Sequence, residues 1–133
     1  RYENIRSARA EEGLIRLLLL DPGLVLQMGE IRGEEFSSPL LGRAFDLLAQ
    51  RSREGLSTQL AVLAGEFTGE EMDHLAQVAA QPESTANSDQ SIRDYISVIH
   101  SEALRREKGM GDDLLLAAQK RYQRKKGYRE ETP

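Results

Sequence analysis

"AEEGLIRLLLLDP", residues 10–22, is the stretch on which the fold class turns. Around it, Ile5, Ala8, Ile15, Leu18 and Leu19 fall on one helical stripe interrupted at Glu12, and Leu14, Leu17 and Leu20 widen that stripe. A helix apolar on more than one side belongs at the centre of a bundle. Pro22 disfavours the helical conformation at Asp21, so the helix is expected to stop there. Asp21 can then cap a short following helix with Pro22 first and Leu24, Val25 and Met28 inside.

The same punctuation recurs downstream. In "SSPLLGRAFDLLAQRSREG", residues 37–55, Ser38 is the expected N-cap, Pro39 the first helical residue, and Leu41, Ala44, Phe45 and Leu48 one face, with Gly55 as the stop. Leu60, Leu63 and Phe67 form the apolar side of the next segment. Thr68 and Glu71 then have capping-box spacing before a helix turning Met72, Leu75, Val78 and Ala79 inward. Pro82 closes it, and the polar residues 83–88, "ESTANS", read as a loop. A long helix follows, with Ile92, Ile96, Ile99 and Ala103 in line and Tyr95 beside them, broken at "GMGDD". Asp112 or Asp113 would cap a last helix whose narrow stripe is Leu115, Ala118 and Tyr122 with Leu114 alongside. No stretch shows sustained period-two alternation, so the expected class is all-α. The expected division is a helical bundle over residues 1–88, a long connecting helix over 89–109 and a terminal basic helix over 110–133.

Composition agrees with this and narrows the chemistry. The 133 residues suffice for one ordinary domain, and 39% hydrophobic with only 5% aromatic content points to a core of aliphatic side chains, which favours helices. There is no cysteine, so disulfides and thiolate metal sites are impossible, and the chain suits a reducing compartment such as the cytoplasm. Apolar runs such as Leu17–Leu20 are far too short to span a bilayer. The chain begins at Arg1 without a signal-peptide pattern and is expected to be a piece of something longer.

No phosphate loop, dinucleotide fingerprint or nucleophile elbow is present. His74 and His100 stand far apart without a ligand set and read as surface or interface residues. The pairs Glu34-Glu35 and Glu70-Glu71 sit at helix starts, where the helix dipole favours acidic residues. Arg105, Arg106 and Lys108 at a helix end suit the same dipole. Catalysis is therefore not expected of this chain.

Charge is unevenly spread over a net charge of −4: residues 1–100 hold 9 Lys/Arg against 16 Asp/Glu (−7), residues 101–133 hold 9 against 6 (+3). Lys120, Arg121, Arg124, Lys125, Lys126 and Arg129 form a basic run without a carboxylate. Such a run can bind phosphates, can be a solvated tail, or can steer docking to an acidic protein. The apolar stripe of Leu115, Ala118 and Tyr122 favours docking, because a purely electrostatic contact has no use for it.

The segments "AEEGLIRLLLLDP", "EEFSSPLLGRAFDLL" and "STANSDQSIRDYISVIHSEALRREK" together resemble the C-terminal helicase-binding domain of bacterial DNA primase, and its structural relative, the N-terminal domain of the replicative DNA helicase. The shared pattern is an Ala-Glu start, a Leu-rich helix stopped at Asp-Pro, a Glu-Phe before a Pro-containing helix start and a Tyr-Ile pair in a long late helix. It covers about residues 8–108. The short segment between Gly55 and Met72, the non-Met start and the charged last helix favour the primase domain. The resemblance implies a non-catalytic module, monomeric alone, that docks primase on the helicase ring and couples primer synthesis to unwinding. Its partner would be the helicase N-terminal domains, gripped by a terminal helical hairpin; with only "GMGDD" between the long helix and the last one, either a shortened hairpin or a last helix that swings free is expected here. On that reading Leu115, Ala118 and Tyr122 make the contact and Arg121, Lys125 and Lys126 steer it. Zinc and magnesium would belong to upstream domains of the parent polymerase, with no cofactor in this fragment, no membrane and no nucleic-acid contact by the bundle. The alternatives are the helicase domain itself and a DNA-binding helical module.

Overall fold

The computed structural model describes residues 2–110. Within them the chain is all-α, with four α-helices, α1 (Ile5–Leu20), α2 (Pro39–Arg53), α3 (Gly69–Ala80) and α4 (Ser88–Met110), and 3₁₀ segments in the connections that precede α2 and α3. One compact unit spans Arg1–Glu102, and a second comprises Ala103–Pro133. Of the second unit the structure describes the C-terminal end of α4, in which the Leu104 side chain is exposed.

Each boundary has a local cause. Asn4 caps α1 by accepting from the Ser7 amide at 3.0 Å. Asp21 serves two helices at once. Its N–H reaches the Leu17 carbonyl at 2.9 Å and its carboxylate accepts from Gly23 N–H at 3.1 Å, so it ends α1 and starts the 3₁₀ segment Pro22–Gln27. Ser38 caps α2 with Pro39 at the first position. At the far end, Gly55 takes φ 73°, the Leu56 N–H returns to Arg51 O at 2.8 Å and the Gly55 N–H to Ser52 O at 3.1 Å. That is a Schellman stop, and its positive φ is why glycine stands there. Thr68 and Glu71 form the reciprocal capping box of α3. The Thr68 amide, with Arg43 adding to it, holds the Glu71 carboxyl below its usual range.

α1 lies at the centre, as its broad stripe predicts. Ala8, Leu14, Leu17 and Leu18 are wholly buried, and its main partner is α2, whose Leu41, Ala44, Phe45 and Leu48 are equally enclosed. Phe36 packs on Phe45 with ring centroids 5.1 Å apart. Leu75 and Val78 of α3 and Ile92 and Ile99 of α4 complete the core. Arg43 lies over the Phe67 ring at 4.8 Å while pairing with Glu71.

Some expectations shift at the edges. The connecting pieces Pro22–Gln27 and Leu60–Glu66 are 3₁₀ rather than α. Their apolar residues still reach the core, since Leu24, Val25, Met28, Leu63 and Phe67 are buried and Leu60 packs against it. Ile5 and Leu20, at the two ends of α1, are 56% and 57% exposed, and Ala79 in the last turn of α3 is exposed. Terminal turns project past their neighbours, so a helical stripe overstates burial there.

Two features were absent from the sequence reading. Glu11 is completely buried. Its Oε2 accepts from Ser7 Oγ (2.6 Å), Ser37 N (2.6 Å) and Ser37 Oγ (2.7 Å), and its Oε1 from Ser38 N (3.2 Å). One carboxylate of α1 thus fixes the turn that launches α2. Further along, Gly33 and Gly42 bring two backbones together so closely that a Cβ on either would come within 3.0 Å of the other's carbonyl. The Gly33 N–H then reaches Asp46 Oδ1 at 2.8 Å.

Candidate functional site

The residues expected to bind a partner, Leu115, Ala118, Arg121, Tyr122, Lys125 and Lys126, lie outside the described residues. Within the first unit, a groove of about 640 Å³ is bounded by α1, α3, α4 and the start of the loop after α3.

Glu12, Arg16, His74 and Tyr95 line it and belong to a chain of polar side chains that extends to Tyr2 and Glu83. Tyr2 donates to Glu12 Oε2 at 2.6 Å and meets His74 Nε2 at 2.6 Å, with the two rings edge to face. A carboxylate only accepts, so the phenol proton goes to Glu12 and His74 Nε2 carries the hydrogen toward the Tyr2 oxygen. Glu12 pairs with Arg16 at 3.5 Å. Arg16 in turn donates from Nε to Glu83 Oε1 at 2.9 Å and from Nη1 to the Val78 carbonyl at 3.3 Å. Tyr95 donates to the other Glu83 oxygen at 2.8 Å. Arg16 and Glu83 are only 12% and 9% exposed, so this pair is shielded from salt and costly to split.

Gly13 is what lets Tyr95 come so near. A Cβ at position 13 would lie closer than 3.0 Å to several Tyr95 ring atoms, so the tyrosine of α4 fits against bare backbone on α1. Burial first, then the hydrogen bond and charge of Glu83, push the Tyr95 hydroxyl from 10.0 up to about 12. Tyr2 is raised too, by burial and then by Glu12. For a group raised in the folded state, stability is intact below the unfolded value and fades as pH climbs to the folded one. The fold is therefore expected to lose stability between about pH 10 and 12, in step with ionisation of Tyr95. Near-ultraviolet titration of the wild type against Tyr95→Phe checks this, and ionisation of Tyr95 at its ordinary value would count against it.

α4 is held at two further places. Glu102, nearly buried, accepts from Asn4 Nδ2 at 3.0 Å and from Arg6 Nη1 at 2.6 Å, so the residue that caps α1 also grips α4. His100 Nδ1 meets the Glu35 carboxylate, whose other oxygen accepts from the Arg32 amide at 3.3 Å. Both histidines thus sit in contacts between elements. The pairs Glu34-Glu35 and Glu70-Glu71 lie in the first turns of Gly33–Glu35 and α3 as expected, and Glu35 and Glu71 each reach across to a second element as well.

Glu12, Arg16, His74 and Tyr95 are thus tied into one chain of contacts with Tyr2 and Glu83, while Arg6 and Asp94 on the groove wall bond Glu102 and Gln90 instead. Among the described residues no group of three His, Asp or Glu side chains could hold a metal, and no helix is long and apolar enough to cross a membrane. Sequence reasoning missed Arg16, Glu83 and Tyr2 as a set because their contacts join positions far apart in the chain; the one available signal was an arginine inside the most apolar run, which a bundle core tolerates only with a partner. No protein-family model, curated protein or solved structure matches the chain.

Proposed function

We propose that this chain is the helicase-binding domain of a bacterial DNA primase, a cytoplasmic, non-catalytic module that docks the polymerase on the replicative helicase. One observation carries the reading: the residues behind the resemblance are the joints of the bundle. Glu11 of the Ala-Glu start anchors Ser37 and Ser38, and Asp21 of Asp-Pro caps two helices. Phe36 of Glu-Phe packs on Phe45, and Tyr95 of Tyr-Ile packs against Gly13 and holds Glu83. A resemblance resting on joints is more specific than one resting on leucine content, because each joint requires one residue type at one place.

The contact is assigned to the segment after α4. Leu115, Ala118 and Tyr122 would form its apolar seam, and Arg121, Lys125 and Lys126 would speed encounter with an acidic helicase surface. Mixing the chain with a bacterial replicative helicase and following complex formation by size exclusion tests the proposal. Co-elution is expected. Self-association of the chain into a ring would favour the helicase N-terminal domain instead, and DNA binding without helicase binding would favour a nucleic-acid module. Tyr122→Ala is expected to weaken the complex by about tenfold or more at any salt, the effect of truncating a buried aromatic anchor. Lys125→Ala with Lys126→Ala should matter chiefly at low ionic strength.

A further inference from the structure

We propose that residues 82–87 form a strap fastened to Arg16 and Tyr95 of the groove by Glu83 alone, so that release of this one side chain opens the strap and bares these two groups while the bundle stays folded. The inference rests on the groove and is independent of the helicase reading.

Pro82, Ser84, Thr85, Ala86 and Asn87 are exposed, whereas the Glu83 carboxylate is almost enclosed. Among the described residues, Glu83 is the only side chain of the segment that bonds outside it, to Arg16 and Tyr95. The remaining hydrogen bonds are local. Ser84 Oγ accepts from Ala86 N–H, and the Asn87 carbonyl accepts from Ser91 N–H in the first turn of α4. A segment held by one side chain opens at the free energy of that contact, far below the cost of global unfolding. Pro82 lines the groove, so movement of the strap moves a groove wall. It also uncovers Arg16 Nε–H and the Tyr95 hydroxyl as donors facing the opening, because both now spend their hydrogens on Glu83. In the closed state the chain supplies its own occupant for these donors.

A glutamate-specific endoproteinase reads the fastening directly, because it must draw the Glu83 side chain into its own pocket before cutting. Fragments of the full chain are identified by mass spectrometry. In the wild type, cleavage after Glu83 is expected to lag well behind cleavage after exposed Glu54. Tyr95→Phe keeps the ring against Gly13 and removes one of the two holds. It should speed cleavage after Glu83 by about tenfold, the factor set by one hydrogen bond to a charged group. Arg16→Lys should speed it further, and cleavage after Glu54 should not change in either variant. Wild-type cleavage after Glu83 as fast as after Glu54, or no acceleration in Tyr95→Phe, would overturn the proposal. So would equal acceleration in Tyr95→Phe after the buried Glu11 and Glu102, since that reports loosening of the whole unit rather than of the strap.

Discussion

Glu11→Ala is expected to destabilise the first unit by about 3–5 kcal/mol, because two backbone amides and two hydroxyls lose their acceptor and each buried donor left unsatisfied costs about 1–3 kcal/mol. The upper part of a simple sum is not reached, since Ser37 and Ser38 are half-buried and regain some water. Even so, the loss is a large fraction of the roughly 5–15 kcal/mol that holds a typical domain together. The damage should concentrate where α2 begins, because Glu11 fixes the turn that carries the Ser38 cap. Glu11→Gln should recover part of it, because the amide oxygen can take the place of Oε2, which accepts three of the four bonds, leaving the amide nitrogen against the Ser38 N–H. Urea denaturation of both variants measures the effect, and a loss below about 1 kcal/mol would show that the carboxylate is dispensable.

Gly42→Ala reverses the sign that helix propensity assigns. In the interior of α2 alanine is favoured over glycine by about 1 kcal/mol, so propensity alone makes the change stabilising. Here the new Cβ would meet the carbonyl oxygen and carbon of Gly33, backbone atoms with no rotamer to escape into. The expected result is a destabilisation of about 2–3 kcal/mol, in the range of an overpacked core. Gly69→Ala is the control. It stands at the first position of α3 with open space around it, so alanine there should be neutral or slightly stabilising. Thermal melts of the two variants separate close approach from propensity, and a stabilised Gly42→Ala would mean that the two backbones can part at little cost.

The helix boundaries were legible because each is set by a few neighbouring residues: Asp21 with Pro22, Ser38 with Pro39, Thr68 with Glu71, and Gly55. The core faces of α1 and α2 were legible because periodicity needs only one strand of text. What the sequence concealed is pairing between distant positions. "EE" at 11 and 12 is a single doublet in the chain, but in space Glu11 turns inward to Ser37 and Glu12 turns to Tyr2 and Arg16. Periodicity marks Glu12 as an interruption of the stripe and does not assign the two carboxylates to different partners. Gly33 and Gly42 look like ordinary glycines until their backbones are seen to touch. The groove was hidden for the same reason, since its floor is assembled from α1, α3, the strap and α4.

The grip of Asn4 and Arg6 on Glu102 also sets an order of events during synthesis. A nascent chain leaves the ribosome amino end first, so the first turn of α1 exists long before the residue that clasps it. Until position 95 has emerged, the Gly13 face of α1 has no tyrosine to cover it; until position 102 has emerged, Arg6 has no carboxylate to hold. α1 and α2 can meet early, but the unit closes only when nearly all of it is outside the tunnel. A slow stretch of translation placed beyond residue 102 would give this closure time to finish, whereas a pause placed between α3 and α4 would hold α1 without the Tyr95 and Glu102 that cover and clasp it.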